Sequence, residues 1–420
     1  MEWLLLLIPV FLVLIGLPVF VGLLGAAALG IVLIMEVPAT ALHQYLFANL
    51  DKSALLAIPF FLYAGDLMAR GTQAAKLMDW ASAGMGRLPG RSGVTTVAAS
   101  TFFGAISGSS VATVGAIGRI SYDRMLKEGF TPSNAQALIA SSATISSIIP
   151  PSIAMILYGI AAEESAADLF VAGIIPGLVL ALCMALYIMF RARGQVAGDV
   201  FSVRYFLQAT RRTWIGLGLP VVVLGGIYLG IFSPTEAAGV ACAYAILVAL
   251  FAEPDMKIRS LLDSAVSSML LTAQTLIIVA ASGVFAWMLT VNGVPQALAG
   301  WLTDLSMPSW VLLVAINVLL LIVGCFMDTA SAILVMTPLL LPIATALGVD
   351  PVHFGIIVTV NLSIGMFTPP FGLSIFITQG MFKANLPALY RALMPYVAVS
   401  VVALMLITFI PQLSLWLLGR

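Results

Sequence analysis

Long apolar runs separated by short polar joints dominate the chain. Runs bounded by turn signals predict ten spans, near 3–17, 19–35, 53–69, 132–160, 169–190, 213–229, 236–252, 267–290, 352–379 and 392–411. Several reach the roughly 20 residues that cross a bilayer. Two further apolar stretches, about 92–118 and 309–345, are interrupted near the middle by small or polar residues. They predict re-entrant hairpins that dip in and return to the same side. Irregular backbone at that depth survives only inside protein or beside a wet cavity. Residues 37–52 and 253–265 mix charged and apolar positions, and read equally as interfacial arms or as ordinary loops. The pattern predicts an all-α polytopic membrane protein.

Two of the spans carry the same interruption. One reads Ser146-Ser147-Ile148-Ile149-Pro150-Pro151-Ser152 and the other Gly365-Met366-Phe367-Thr368-Pro369-Pro370-Phe371, 219 residues later. Proline has no backbone N–H, so the carbonyls of Ser146, Ser147, Gly365 and Met366 lose their helical partners. In hydrocarbon each such group costs several kcal/mol unless something replaces the bond. Broken apolar segments at corresponding positions of two halves point to a transporter's binding site. The same shift lays Gly129-Phe130-Thr131-Pro132 on Gly348-Val349-Asp350-Pro351. It also lays the tip Ser107-Gly108-Ser109-Ser110 on Phe326-Met327-Asp328-Thr329. The chain is therefore expected to hold two repeats, 1–210 and 211–420.

Charge gives the repeats a direction. Basic residues collect in 70–91, 119–127 and 191–212, and none lies between Arg259 and Lys383. By the positive-inside rule the first group faces the cytoplasm. The loop with Glu163, Glu164 and Asp168 then lies outside, as does the N-terminus. The hairpins enter from opposite faces, so the halves are inverted. Met1-Glu2-Trp3 lacks the basic start of a secretory signal and is read as the beginning of a retained first helix.

Composition narrows the function. The chain of 420 residues is 61% hydrophobic and 9% charged, against about 25% charged in soluble domains. Zero net charge gives no reason to expect nucleic acid. Cys183, Cys242 and Cys325 are far apart and form no ligand cluster. No Ser/His/Asp set or phosphate loop is present, which disfavours catalysis. His43 and His353 stand singly near predicted membrane edges and read as interfacial. Ser233-Pro234-Thr235-Glu236 has capping-box spacing, making Glu236 a helix-start residue.

What the breaks and tips supply is oxygen, the ligand of hard cations. A freed carbonyl at a half-helix C-terminus carries partial negative charge. Two cation sites are expected. One joins Ser107, Ser109 and Ser110 to Ser146 and Ser147. The other joins Asp328 and Thr329 to Gly365, Met366 and Thr368. Asp328 is the only acid among these elements, which favours Na⁺ over H⁺ coupling, and it also has the place of a helix N-cap. The new helix N-termini after each proline pair, near Ile153 and Ala154 and near Gly372 and Leu373, attract anions. Up to half of the site hydroxyls are expected to bond only to their own helix.

With Ser107 to Thr113, Ile149 to Ser152, Asp328-Thr329 and Thr368 to Gly372 together, the chain closely resembles the large membrane subunit of tripartite ATP-independent periplasmic (TRAP) transporters. The resemblance implies a bacterial inner-membrane, Na⁺-driven importer of a small organic acid such as a C4-dicarboxylate or sialic acid. It implies Ser109, Ser110, Pro151, Ser152, Asn361, Pro370 and Gly372 around the substrate. It implies an elevator, with scaffold segments about 1–52, 169–252 and 392–420 and transport segments about 53–160 and 267–379. It also implies a small four-helix membrane subunit, here unfused, and a periplasmic substrate-binding protein. A standalone Na⁺/carboxylate symporter, a passive channel and an intramembrane enzyme are the competing readings.

Overall fold

Proline, glycine and capping residues divide the chain into helices with few loops. The computed structural model describes Leu12 and residues 17–35, 37–38, 40–193, 196–197, 200–253, 256–297, 300 and 307–420. The expected span near 3–17 lies almost wholly outside them. The described chain is nearly all helical, with one antiparallel pair of two-residue strands, Leu88–Pro89 with Val196–Ala197.

In the first half, α1 (Val19–Leu29) continues as a π-helical turn to Ile34. Then come α2 (Thr40–Leu50), α3 (Ala57–Arg70) and α4 (Gln73–Met85). The first hairpin is α5 (Arg91–Ser107) and α6 (Ser110–Lys127), so its second limb runs nine residues past the expected end at 118. The first broken helix is α7 (Pro132–Ala143), a 3-10 turn at Thr144–Ser147, then α8 (Ile153–Ala162). Next follow α9 (Ala166–Arg191), α10 (Val203–Tyr228) and α11 (Pro234–Phe251). The box at Ser233 and Glu236 caps α11 as expected. In α12 (Ile258–Val291) the stretch 253–265 and the span 267–290 merge into one rod of 34 residues. In the first half the equivalent join is broken at Asp51-Lys52, so only one half has a separate arm helix. The second hairpin is α13 (Ser309–Phe326) and α14 (Thr329–Ala346). The second broken helix is α15 (Pro351–Gly365) and α16 (Leu373–Phe382), and the chain ends with α17 (Leu386–Phe409) and a short α18 (Gln412–Leu415).

Among the described residues seven helices are long and apolar enough to cross a membrane. Both limbs of the second hairpin are among them by length and composition. The broken helices are not, because each half is too short.

Local capping chemistry matches between the halves. Ser109 caps α6 and Asp328, 219 residues on, caps α14. Thr131 caps α7 and Asp350, again 219 on, caps α15. After the proline pairs the shift becomes 220: α8 and α16 each have ten residues and end on a left-handed residue, Glu163 and Lys383. Ser165 and Asn385 then cap α9 and α17. One residue is therefore inserted between Pro370 and Leu373. Both Pro-Pro bonds, 150–151 and 369–370, are cis.

Packing places the helices in two sets of neighbours. Helix α3 lies on α11 and α12, and α12 lies on α1 and α2. Helix α9 instead packs on α5, α15 and α17, and α17 packs on α7. A small-residue face explains this placement, since glycines let membrane helices approach closely. A Cβ on Gly177 would come 2.5 Å from Ile149, and Gly173 lies against Met155 and the Ile148 carbonyl. Segments 169–190 and 392–411 thus pack against the first hairpin and the broken helices. Segment 53–69 packs on 236–252 and 267–290 and also on both limbs of the first hairpin, and 267–290 packs on 19–35 and on α14. A separate small core of Leu23, Ala26, Ile31, Ala281, Val284 and Phe285 holds α1 to α12.

Candidate functional site

Each hairpin is held against its broken helix where no side chain intervenes. A Cβ on Gly104 of α5 would lie 2.6 Å from the Ser146 Cα. In the second half, one on Gly365 would lie 2.5 Å from the Gly324 carbonyl carbon of α13. Gly108, at φ 59°, turns the first tip in a left-handed conformation and presses on the Pro151 carbonyl. Any larger residue there meets both a strained φ and backbone.

The first tip is densely bonded. The Ser109 hydroxyl accepts from the Ala112 N–H at 3.4 Å. Thr113 donates to the Ser109 carbonyl at 2.9 Å, and Ser107 lies 3.5 Å from Thr113 Oγ1. Ser110 reaches out of its own half: its hydroxyl donates to the Met366 sulfur at 3.5 Å. That contact brings the first tip to the second break. Ser107, Ser110 and Ser146 are all fully buried, with Ser147 and Thr329 nearly so.

The breaks differ from expectation in their carbonyls. Of the four carbonyls that proline strips of helical bonds, three find other donors. The Ser152 hydroxyl donates to the Ser147 carbonyl. The Thr368 N–H donates to the Gly365 carbonyl at 3.0 Å, and the Ser374 N–H to the Met366 carbonyl at 2.9 Å. Only the Ser146 carbonyl has no hydrogen-bond partner among the described residues. The inserted residue explains the asymmetry. In the first half the N-cap Ser152 bridges the gap with its side chain; in the second the N-cap is Gly372, and the backbone folds back instead.

Second-half oxygen is less satisfied. Asp328 accepts from the Ser331 N–H at 3.1 Å and from the Ser331 hydroxyl, so it is a working N-cap. The Thr329 hydroxyl and the Asn361 carboxamide oxygen are buried without a partner among the described residues. Buried polar atoms are nearly always bonded, so each such exception asks for an explanation. Asn361 also donates to Asn317 of α13, at 2.9 Å to its carbonyl and 2.8 Å to its side chain. Asn317 then reaches the Thr408 hydroxyl of α17 at 3.3 Å. Sequence reasoning missed Asn317, although it is the one amide in the apolar run of α13. The hydroxyls of Thr113, Ser146 and Thr368, and that of Ser363 in α15, bond back into their own helix or turn. His353 is not interfacial. It is 2% exposed, with Nδ1 3.1 Å from the Ser414 hydroxyl and Nε2 3.3 Å from the Thr408 carbonyl. The terminal helix folds over it, which residue spacing alone does not reveal.

Away from this centre, Glu253 is a buried carboxylate that holds the α3–α4 turn. It accepts from Thr72 N–H and hydroxyl, both at 2.8 Å, and from Gln73 at 2.6 Å, with Lys76 3.6 Å away. Burial pushes its pKa up, but these hydrogen bonds and the lysine charge outweigh it and hold the group below the ordinary range.

Paired hairpins, paired broken helices and buried oxygen at their meeting point define a polytopic transporter-type membrane protein. Residues 6–413 match the family described as tripartite ATP-independent periplasmic transporter, DctM component, and the chain belongs to that family. It is 40% identical to the C4-dicarboxylate TRAP transporter large permease of Pseudomonas aeruginosa, over 94% of this chain and 92% of that one. It is 37% identical to an ectoine TRAP transporter large permease of Halomonas elongata, over 97% and 96%. An isethionate TRAP permease of Oleidesulfovibrio alaskensis, named DctMQ, is 35% identical, and the match covers 64% of its length. In fold the chain resembles the crystal structure of the Alcanivorax borkumensis YdaH transporter, with TM-score 0.64 and 17% identity over 97% of this chain and 99% of that one. These relatives are transporter permeases, and the chain is not an enzyme.

Proposed function

We propose that this chain is the large permease of a Na⁺-coupled importer of a small organic acid across the bacterial inner membrane. The Ser110–Met366 contact carries the reading, because it joins the first tip and the second break at one buried centre. The donor set suits Na⁺, a hard cation that takes oxygen. The Ser146 carbonyl with Ser107 and Ser109 would hold one ion. Thr329, beside the Asp328 charge, would hold the other. The substrate carboxylate would be taken by Ser109, Ser110 and the free N–H groups at the start of α8 and α16, with Asn361 as a further polar contact.

The matching caps and the distribution of basic residues support two inverted repeats, with the N-terminus periplasmic. The packing supports an elevator in which α5–α9 and α13–α17 move as one body against α1–α3 and α10–α12. We offer this grouping in place of the one that the resemblance implies. The names of the relatives support a carboxylate or similar small anion, delivered by a periplasmic substrate-binding protein and aided by a small membrane subunit. The test is uptake by proteoliposomes holding both membrane subunits, with and without binding protein and with and without an inward Na⁺ gradient. Uptake should need both. Uptake without binding protein would make the chain a standalone symporter, and non-saturating flux would make it a channel.

A further inference from the structure

A second polar cavity lies away from the tips and breaks. It has a volume of about 250 Å³ and sits between the loop before α7, the end of α9 and the middle of α17. Five side chains with donors line it: Thr131, Asn134, Tyr187, Arg191 and Tyr396. Phe130 and Ile188 supply apolar wall. Tyr396 is 5% exposed as a residue and lines the cavity. Its ring meets that of Tyr187 edge-on at 5.3 Å, which fixes both phenols at the cavity. Arg191 has no carboxylate partner among the described residues. Glu128, the carboxylate next in sequence to the loop, accepts from the Ser92 N–H at 2.9 Å.

We infer that this cavity binds a phosphate-bearing anion. A guanidinium matches phosphate with paired donors in one plane. Two phenols and a carboxamide add neutral donors. The position favours a lipid phosphate. Arg191 closes the last turn of α9, at the end of a long apolar helix where headgroups lie. Nearby α9 and α17 turn Leu186, Phe190 and Met394 outward, where acyl chains would run. A dissolved phosphate ester offers the same recognition chemistry, so the test separates the two sources. Neither depends on Na⁺ coupling or on the transported substrate.

The experiment uses the full chain purified in phosphate-free detergent. Phosphatidylglycerol retained or rebound is counted by native mass spectrometry, and inorganic phosphate is titrated separately. Arg191→Ala should weaken binding about tenfold or more, the scale of a lost charge-assisted bond. Tyr396→Phe keeps the ring and removes only the hydroxyl, and should weaken it about threefold to tenfold. Asn134→Ala, a half-buried position, is the second variant should either fold poorly. Sensitivity confined to phosphatidylglycerol assigns a lipid site, and sensitivity of inorganic phosphate assigns a soluble-anion site. If neither ligand binds saturably, or binding ignores all three substitutions, the inference is overturned.

Discussion

The Ser110 hydroxyl donates to the Met366 sulfur at 3.5 Å, across 256 residues of chain. Through it the first hairpin touches the second broken helix. A hydroxyl-to-thioether bond is weak, and its value lies in where it holds the tip. Ser110→Ala should cost no more than about 1 kcal/mol in stability while lowering uptake clearly. Thermal unfolding measured beside initial uptake rates checks this, and normal uptake would make the contact incidental.

Asp328 has two roles that substitution can separate. Asn caps a helix about as well as Asp, whereas Ala loses about 1 kcal/mol. Asp328→Asn should therefore keep stability but need more Na⁺ for half-maximal uptake. Asp328→Ala should lose both. If Asp328→Asn shows the wild-type Na⁺ dependence, the carboxylate is only a cap.

Close approach at the second break predicts a steric contrast. Gly365→Ala would drive a methyl into Gly324 backbone, which cannot swing aside. The expected cost is about 1–3 kcal/mol. Gly380→Ala in α16 meets nothing within 4 Å and should be neutral or stabilising by up to about 1 kcal/mol. Paired melting curves in detergent check the contrast, and equal shifts would contradict the packing.

Glu253 predicts a pH effect remote from the site. Its folded pKa is depressed, so its stabilisation is present above the unfolded value near 4.5 and fades as pH falls through the folded value. Glu253→Gln should remove about 1–3 kcal/mol at neutral pH and flatten the acid limb of stability. Urea or thermal unfolding from pH 7 to pH 3 measures both; a variant with an unchanged acid limb would assign the loss elsewhere.

The breaks, the tips and the caps at Ser233 and Asp328 were legible in the sequence because their chemistry is local. Proline, glycine and short polar side chains act within a few residues of their place in the chain. Packing partners were not legible. Nothing near Gly173 and Gly177 says that their face meets Ile148, Ile149 and Met155 rather than α10. The carbonyl partners were hidden for the same reason, since the Ser374 N–H reaches the Met366 carbonyl only once the chain has turned at Pro369-Pro370. Asn317 was within reach: a lone amide in an apolar helix needs a buried partner, and the site supplies Asn361.

Equilibrium binding of radioactive sodium to the purified chain tests the central claim most directly. Wild-type protein should bind sodium saturably at two sites, with Asp328→Asn weakening one and Ser107→Ala with Ser109→Ala weakening the other. Absence of saturable binding, or binding untouched by both sets of substitutions, would contradict a sodium site at the tips and breaks.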